Sequence, residues 1–437
     1  MDKKSQKSIP TSKVKRAAKV VGTGAKVGGN FIKYYAKKAF NSEHTMDELH
    51  KDNAEDIYAT LSELKGSALK VAQMMSMDQQ VLPKAYQDKF SLSQFSAPSL
   101  SYPLIVKTFT SCFGEKPEAL FDSFAKEAIH AASIGQVHKA EKNGKALAVK
   151  IQYPGVAAAI TSDLKLIKPF AARLFNMKSA DLDMYLEEVA SKLLEETDYE
   201  LELRRGQHLI GQLQHLANLA FPNYHKELSG PRVLTMDWIE GALLSDFIKN
   251  EKNNEKRTLI GQTMWDFFLY QFFELKMVHA DPHPGNFIIT PANELGVIDF
   301  GCIKEIPDDF ATSYYQLLRL ETLKDKQKLE ALYQEIGLFK SDDSETDKEK
   351  LRSVYFRMIS LLARPFHTST FDFSDASYFE EIAKVGDALS KDPEIRKMNN
   401  ARGSKHAIYV MRTFFGLYNL LHQLQVKVEL RYTIAVQ

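Results

Sequence analysis

The chain holds 437 residues, 44% of them hydrophobic and 26% charged, with two cysteines and a formal net charge of +1. Such a composition can bury a large core, which excludes a collagen-like, a disordered and a disulfide-stapled protein; the length suits two or three domains or one two-lobed enzyme. Cys112 and Cys302 offer neither a disulfide framework nor metal-ligand spacing, so a reducing compartment is expected. The overall charge argues against coating of nucleic acid, but it is unevenly spread: residues 1–40 carry eleven Lys/Arg against one acid, Asp2. Lys26, Lys33 and Arg412 interrupt the most apolar stretches, and none reaches the roughly 18 residues of a membrane span. A secretory signal is not expected either, because no apolar core with a small-residue cleavage site follows the basic start.

In chain order, the glycines at 22, 24, 28 and 29 argue against a stable helix in the basic leader. Residues 47–77 read as an amphipathic helix, since Leu49, Ile57, Leu61, Leu64, Ala68, Ala72 and Met75 recur at three- and four-residue steps. Lys70 and Gln73, three apart, share one face of it. From about Ala128 the period changes, and Val137–Ile151 splits into two β-type runs around Asn143-Gly144, a hairpin signal. Residues 181–216 return to helical spacing through Leu182, Leu186, Val189 and Leu193. A strand from Arg232 to Ile239, an aromatic helix from about Thr258 to Met277, short strands at Phe287–Ile289 and Gly296–Asp299, and helices from Phe310 onwards complete the chain. The order is a helical extension, a small β-rich lobe with one long helix, and a larger, mostly helical lobe, without internal repeats.

The densest polar cluster in an apolar setting is His279-Ala280-Asp281-Pro282-His283-Pro284-Gly285-Asn286, followed by Val297-Ile298-Asp299-Phe300-Gly301. Phosphoryl transfer needs a carboxylate to orient or deprotonate the acceptor, and a carboxylate with an amide oxygen to hold Mg²⁺ on phosphates. Asp281, Asn286 and Asp299 are those groups at suitable spacing. A zinc-hydrolase reading of His279, Asp281 and His283 competes, although two prolines constrain the loop and no further His/Cys pair lies near. His279 alone also reads as a core histidine bonded to backbone. Upstream, Lys150 ends the apolar strand Ala146-Leu147-Ala148-Val149, where an ammonium could reach nucleotide phosphates. The preceding loop, His130-Ala131-Ala132-Ser133-Ile134-Gly135-Gln136, stands where a phosphate-covering glycine loop would stand, stiffened by alanine. In the acidic segment 195–202, read as continuous helix, Glu196 and Glu202 lie about 240° apart and must serve different neighbours, one of them Lys150.

Together these pieces resemble the UbiB-like (AarF-like) atypical kinases, the family that includes the ATPases of coenzyme Q biosynthesis, and they resemble the coenzyme Q type most. The similarity runs from about Ile9 onwards. The family's K-x-G-Q signature is similar to Lys70-Val71-Ala72-Gln73, with alanine for glycine, and its A-A-A-S loop to His130-Ala131-Ala132-Ser133, with histidine first. The E-x-D motif would be Glu196-Thr197-Asp198, the nucleotide lysine Lys150 and its helix glutamate Glu202; H-x-D-P-H-P-G-N and D-F-G match outright, and no A-P-E segment follows Gly301.

The resemblance implies an α+β, bilobal protein-kinase-like fold. Residues 1–45 would be a basic leader, 46–125 the helical extension, 126–240 the small β-rich lobe and 241–437 the helical lobe. It implies catalysis through Asp281, Lys150 and Glu202, and metal binding by Asn286 and Asp299. ATP would lie against Ala131, Ala132, Ser133 and Lys150, with Met236 and Trp238 also placed at the nucleotide, and Lys70, Gln73, Glu196 and Asp198 would act as regulatory residues that occlude the cleft. ATP and Mg²⁺ are the expected cofactors, and ATP hydrolysis or phosphotransfer coupled to quinone or isoprenoid-lipid metabolism the expected activity. Small-molecule phosphotransferases of the aminoglycoside/choline kind and non-catalytic nucleotide-binding modules are the alternatives. Expected partners are an anionic membrane surface met by Val20, Val21, Val27, Phe31, Ile32, Tyr34 and Tyr35 of the leader, proteins of quinone biosynthesis and a second copy of the chain, and no nucleic acid. The location follows as cytoplasmic and peripheral to a membrane, or the mitochondrial matrix in a eukaryote; a start with Arg16 as its one arginine, and with Asp2, is unlike a transit peptide.

Overall fold

A computed structural model describes residues 13–39, 46–64, 85, 86, 89, 100–131, 134–175, 179–339, 341, 343–391 and 405–431. The chain divides into two compact units, 1–203 with 223–238, and 204–222 with 239–437.

The first unit opens with α1 (Lys13–Ala39) and α2 (Met46–Leu64). The glycine-rich leader is therefore helical, against the expectation. Each interior glycine costs about 1 kcal/mol relative to alanine, and packing on α2 offsets that cost. Tyr34 and Thr23 are buried, the Thr23 and Thr60 hydroxyls are hydrogen-bonded, and the Asn30 amide donates to Asn53 at 3.1 Å and to Asp56 at 3.0 Å. The α2 stripe forms as read, with Leu49, Ile57 and Leu61 buried. The expected remainder of that helix, with Lys70 and Gln73, lies outside the described residues.

Beyond α3 (Tyr102–Phe113) and the single turn α4 (Pro117–Leu120) comes an antiparallel sheet of β1 (Ser123–Phe124), β2 (His130–Ala131), β3 (Gly135–Lys142), β4 (Lys145–Gln152) and β6 (Val233–Asp237). The β3–β4 hairpin turns at Asn143 (φ 52°) and Gly144 (φ 72°), the left-handed pair that Asn-Gly favours. Part of the alanine-rich loop is strand, because His130 and Ala131 pair with Val137 and Gln136. One sheet face carries Leu147, Val149, Ile151 and Val233 into a core with Phe109, Phe121 and Tyr153.

Three helices accompany this sheet where one was expected: α5 (Val156–Phe175), α6 (Ser179–Glu196) and α7 (Tyr199–Leu213). The acidic segment is not one continuous helix. Thr197 ends α6, its N–H reaching the Leu193 and Leu194 carbonyls at 3.1 Å, and Asp198 restarts the chain by accepting the Leu201 N–H at 2.8 Å.

In the second unit β5 (Leu219–Ala220), β10 (Leu295–Val297), β9 (Phe287–Ile289) and β7 (Ala242–Leu243) form one sheet, in that order, and β8 (Met277–His279) pairs with β11 (Ile303–Glu305). Around them lie α8 (Leu244–Asn250), α9 (Asn254–Tyr270), α10 (Asp308–Leu317), α11 (Leu320–Lys324), α12 (Lys326–Glu335), α13 (Glu345–Ala363), α14 (Ala376–Lys391) and α15 (Lys405–Leu424). The region past Phe310 is not all helical: β12 (Thr370–Asp372) pairs with β13 (Lys427–Glu429). Their pairing spans the helices between them in sequence, so no local period announces it. The α9 helix is the unit's spine, with Ile260, Met264, Trp265, Phe267, Phe268 and Leu269 all buried. Arg257 donates to the carbonyls of Ile248, Glu251, Gln423 and Leu424, satisfying backbone acceptors at the ends of α8 and α15.

Candidate active site

In the first unit, strand alternation places Lys150 on the sheet face opposite the core. Its ammonium donates to both carboxylate oxygens of Glu202, at 2.8 and 3.0 Å. The lysine side chain is 16% exposed and the glutamate 2%. The capped start of α7 sets Glu202 in position: Asp198 anchors the first turn, and the Glu202 N–H itself bonds the Asp198 carbonyl at 3.0 Å. Tyr199, one turn earlier, brings its ring to 5.5 Å from the Lys150 ammonium. Gln152 ties β4 to the break between the helices through the Thr197 carbonyl at 2.9 Å. Gly135 of β3 sits where a Cβ would lie 2.7 Å from the Ile151 carbonyl oxygen and 2.8 Å from the Tyr199 hydroxyl, so only glycine fits beside this pair.

The ladder registers Val137 against Lys150, Lys139 against Ala148, and Ala148 against Met236, so all five share the Lys150 face. Trp238 follows at β6's end, with the Lys139 ammonium 4.7 Å above its ring. The structure thus brings Met236, Trp238 and Lys150 together, and adds Val137 and Ala148, which the period-2 pattern of Ala148 and Lys150 could have indicated. Ala131 lies in β2, whereas Ala132 and Ser133 are outside the described residues. Glu196 closes α6 and Asp198 caps α7; their expected neighbours Lys70 and Gln73 fall outside the described residues.

In the second unit, α9 runs into a π-helical turn, Gln271–Leu275, a distortion often found at functional sites. Gln271 is fully buried; its amide donates to the Phe267 carbonyl at 2.9 Å and accepts the His279 N–H at 2.9 Å. His279 is buried too, among Phe268, Phe287 and Phe300. Its Nε2–H donates to the Asp299 carbonyl at 2.7 Å, while Nδ1 accepts the Asp281 N–H at 3.4 Å. His279 is therefore the pin that joins the two loops, as its reading as a core histidine anticipated. With both ring nitrogens engaged, His279 is lost as a ligand to the zinc reading, and His283 turns its Nδ1 to the Gly285 N–H at 3.1 Å.

Asn286 ends a short 3₁₀ turn, Pro284–Asn286, and its side-chain N–H₂ donates to the Asp281 carbonyl at 3.0 Å and carboxylate at 3.1 Å. That leaves the amide oxygen as the outward acceptor. Asp299 Oδ1 accepts the Gly301 N–H at 2.9 Å, which holds the carboxylate in one orientation. Pro282 packs on α15 at Gly416, where a Cβ would lie 2.5 Å from the Pro282 ring. Neither Gln271, within an aromatic run, nor Gly416, more than a hundred positions downstream, carries a local signal of its role. A carboxylate and an amide oxygen are hard donors that suit Mg²⁺, which keeps waters and phosphate oxygens as its other ligands. Among the described residues no cluster of three or more His, Cys, Asp or Glu is assembled to hold an ion by itself.

The chain belongs to the ABC1 atypical kinase-like domain family, whose model matches residues 93–333. It is similar to the atypical kinase COQ8, mitochondrial, of Saccharomyces cerevisiae, at 28% identity over 385 residues, covering 86% of this chain and 76% of the yeast protein. The probable serine/threonine-protein kinase abkA of Dictyostelium discoideum is 25% identical over 417 residues, covering 88% and 73%. Among solved structures, the Rv3197–erythromycin complex from Mycobacterium tuberculosis is similar at a TM-score of 0.59 and 26% identity, covering 88% of this chain and 95% of that one. The fold is the expected α+β, bilobal kinase-like one, and the family the UbiB/AarF-like group to which the sequence motifs point.

Proposed function

We propose that this atypical kinase-like protein binds ATP with Mg²⁺ and hydrolyses it, or transfers its terminal phosphoryl group, in support of quinone or isoprenoid-lipid metabolism. The Lys150–Glu202 pair carries the reading. Burying two charges costs more than packing apolar groups of the same volume, so a bidentate pair retained beside an apolar strand calls for a ligand that needs the ammonium. Mg²⁺, when bound, neutralises charge on the phosphates. In this reading Lys150 meets the α- and β-phosphates, held in place by Glu202, and the apolar face of Val137, Ala148 and Met236 takes the base. Asp299 and the Asn286 amide oxygen hold the metal. Asp281, steadied by the Asn286 amide, orients the attacking hydroxyl or water and accepts its proton. The motif resemblance supports the link to quinone metabolism, and the mitochondrial name of the yeast relative supports that location.

The same proposal extends to an anionic membrane surface, with proteins of quinone biosynthesis and a second copy of the chain as further partners. On α1, Val21 (69% exposed) and Ile32 (72%) project outward together with Lys19, Lys26 and Lys33, which favours shallow attachment. Tyr34, expected to enter the headgroups, is instead buried. No described helix is long and apolar enough to cross a membrane. The membrane concerned would face the cytoplasm or the mitochondrial matrix.

Mg²⁺-dependent ATP turnover by the purified chain, with mass spectrometry of a lipid and metabolite extract for any molecule that gains phosphate, tests the activity. Asp299→Asn should abolish the Mg²⁺-dependent part of nucleotide binding. Unchanged Mg-ATP affinity in that variant, or no turnover in the wild type, would refute it.

A further inference from the structure

At the end of β6 a carboxylate, Asp237, faces the packed side of the sheet opposite Leu147. Both of its oxygens are occupied. His225 donates from Nε2 to Oδ1 at 2.8 Å, and Asn223 donates to Oδ2 from its side chain at 2.7 Å and its backbone at 3.3 Å. Burial opposes the Asp237 charge, but the hydrogen bonds from His225 and Asn223 outweigh it and hold the carboxyl below its ordinary range. The same residues add backbone rungs along the outer edge of β6, Asp237 N–H to the Asn223 carbonyl and His225 N–H to the Thr235 carbonyl, both at 2.9 Å.

The next residue, Trp238, is tied from the other side by its N–H to the Ala146 carbonyl at 3.0 Å. The His225 and Asp237 side chains are 22% and 27% exposed, and a pair that water still reaches adds little to stability. Three donors converging on one carboxylate, beside two residues of the Lys150 face, fit a device that fixes position.

We infer that Asp237, braced by Asn223 and His225, is a positioning residue that sets Met236 and Trp238 for recognition of the nucleotide base. This rests on the ATP-binding reading of the same face. The brace acts on the strand's exit and not on the phosphates, so its loss weakens base binding and leaves the chemical step nearly intact.

The test is steady-state kinetics of the full chain with Mg-ATP and Mg-GTP, for the wild type, Asp237→Ala, Asn223→Ala and the isosteric Asp237→Asn. Asp237→Ala and Asn223→Ala should raise KM for ATP about tenfold with kcat within about twofold, the pattern of lost uniform binding, and should narrow the preference between ATP and GTP. Asp237→Asn should fall between them and the wild type, and it carries the test if the alanine variants fail to fold. A lower melting temperature with unchanged KM would make the brace merely structural, and a fall in kcat at unchanged KM would place it in the chemistry; either overturns the inference alone. A wild type that turns over neither nucleotide overturns the ATP-binding reading along with it.

Discussion

Removing either member of the Lys150–Glu202 pair should cost stability unequally. Loss of one partner from a buried ion pair costs about 3–5 kcal/mol because the survivor keeps its desolvation penalty. Here the survivors differ: Glu202 is 2% exposed, whereas Lys150 is 16% exposed and has the Tyr199 ring 5.5 Å away. Lys150→Met takes away the ammonium that both Glu202 oxygens accept from, and should cost about 4 kcal/mol. Glu202→Gln leaves an ammonium that can reach water and an aromatic face, and should cost about 2 kcal/mol. The double variant Lys150→Met/Glu202→Gln should cost about 4 kcal/mol, no more than Lys150→Met alone, which is a coupling of about 2 kcal/mol. Urea unfolding of the four proteins at pH 7, followed by tryptophan fluorescence and circular dichroism, measures the cycle. Costs that simply add, or a larger loss for Glu202→Gln than for Lys150→Met, would refute the view that burial of the carboxylate dominates the pair.

Gly416→Ala should push Pro282 and with it Asp281, since the new methyl would start 2.5 Å from the proline ring; a fall in kcat of about a hundredfold, with about 1–3 kcal/mol of lost stability, is expected from turnover and denaturation. Buried His138 donates from Nδ1 to the Ala125 carbonyl at 2.8 Å and accepts the Gln136 amide at 2.7 Å, and burial depresses its pKa despite the opposing bond to Ala125. The unfolded chain therefore takes up a proton first, and stability should fall as pH drops below about 6.5, by up to about 1.4 kcal/mol per unit; the slope should be shallower in His138→Phe when melting is followed from pH 7.5 to 5. Anionic vesicles should bind the chain in low salt and release it in high salt, and Lys19, Lys26 and Lys33 changed together to Gln should weaken co-sedimentation severalfold. Equal co-sedimentation of that variant would remove α1 as the lipid-binding element.

Chemistry that depends on short spacing was legible in the residue order. Asn143-Gly144 announces its hairpin because the left-handed turn is a property of two residues, and the polar loop from His279 to Asn286 stands out because such groups rarely interrupt apolar strands without use. The stripe of α2 likewise follows from local period. Spacing could pair Lys150 with the acidic segment but not choose its partner, which only the resemblance named as Glu202, and the helix read as continuous there breaks at Thr197. That break depends on the Asp198 cap and on Gln152, forty-five residues earlier. The helix of the glycine-rich leader depends on the hydrogen bonds of Thr23 and Asn30 to α2. The roles of Gln271, Gly416 and Asp237, and the choice of β13 as partner for β12, are likewise long-range. Local order carries the periodicities, turns and reactive groups, since backbone sterics and burial act over a few residues. Which helix breaks, which glycine must stay small and which carboxylate braces a strand depend on groups brought together by folding, and no window of sequence contains both partners.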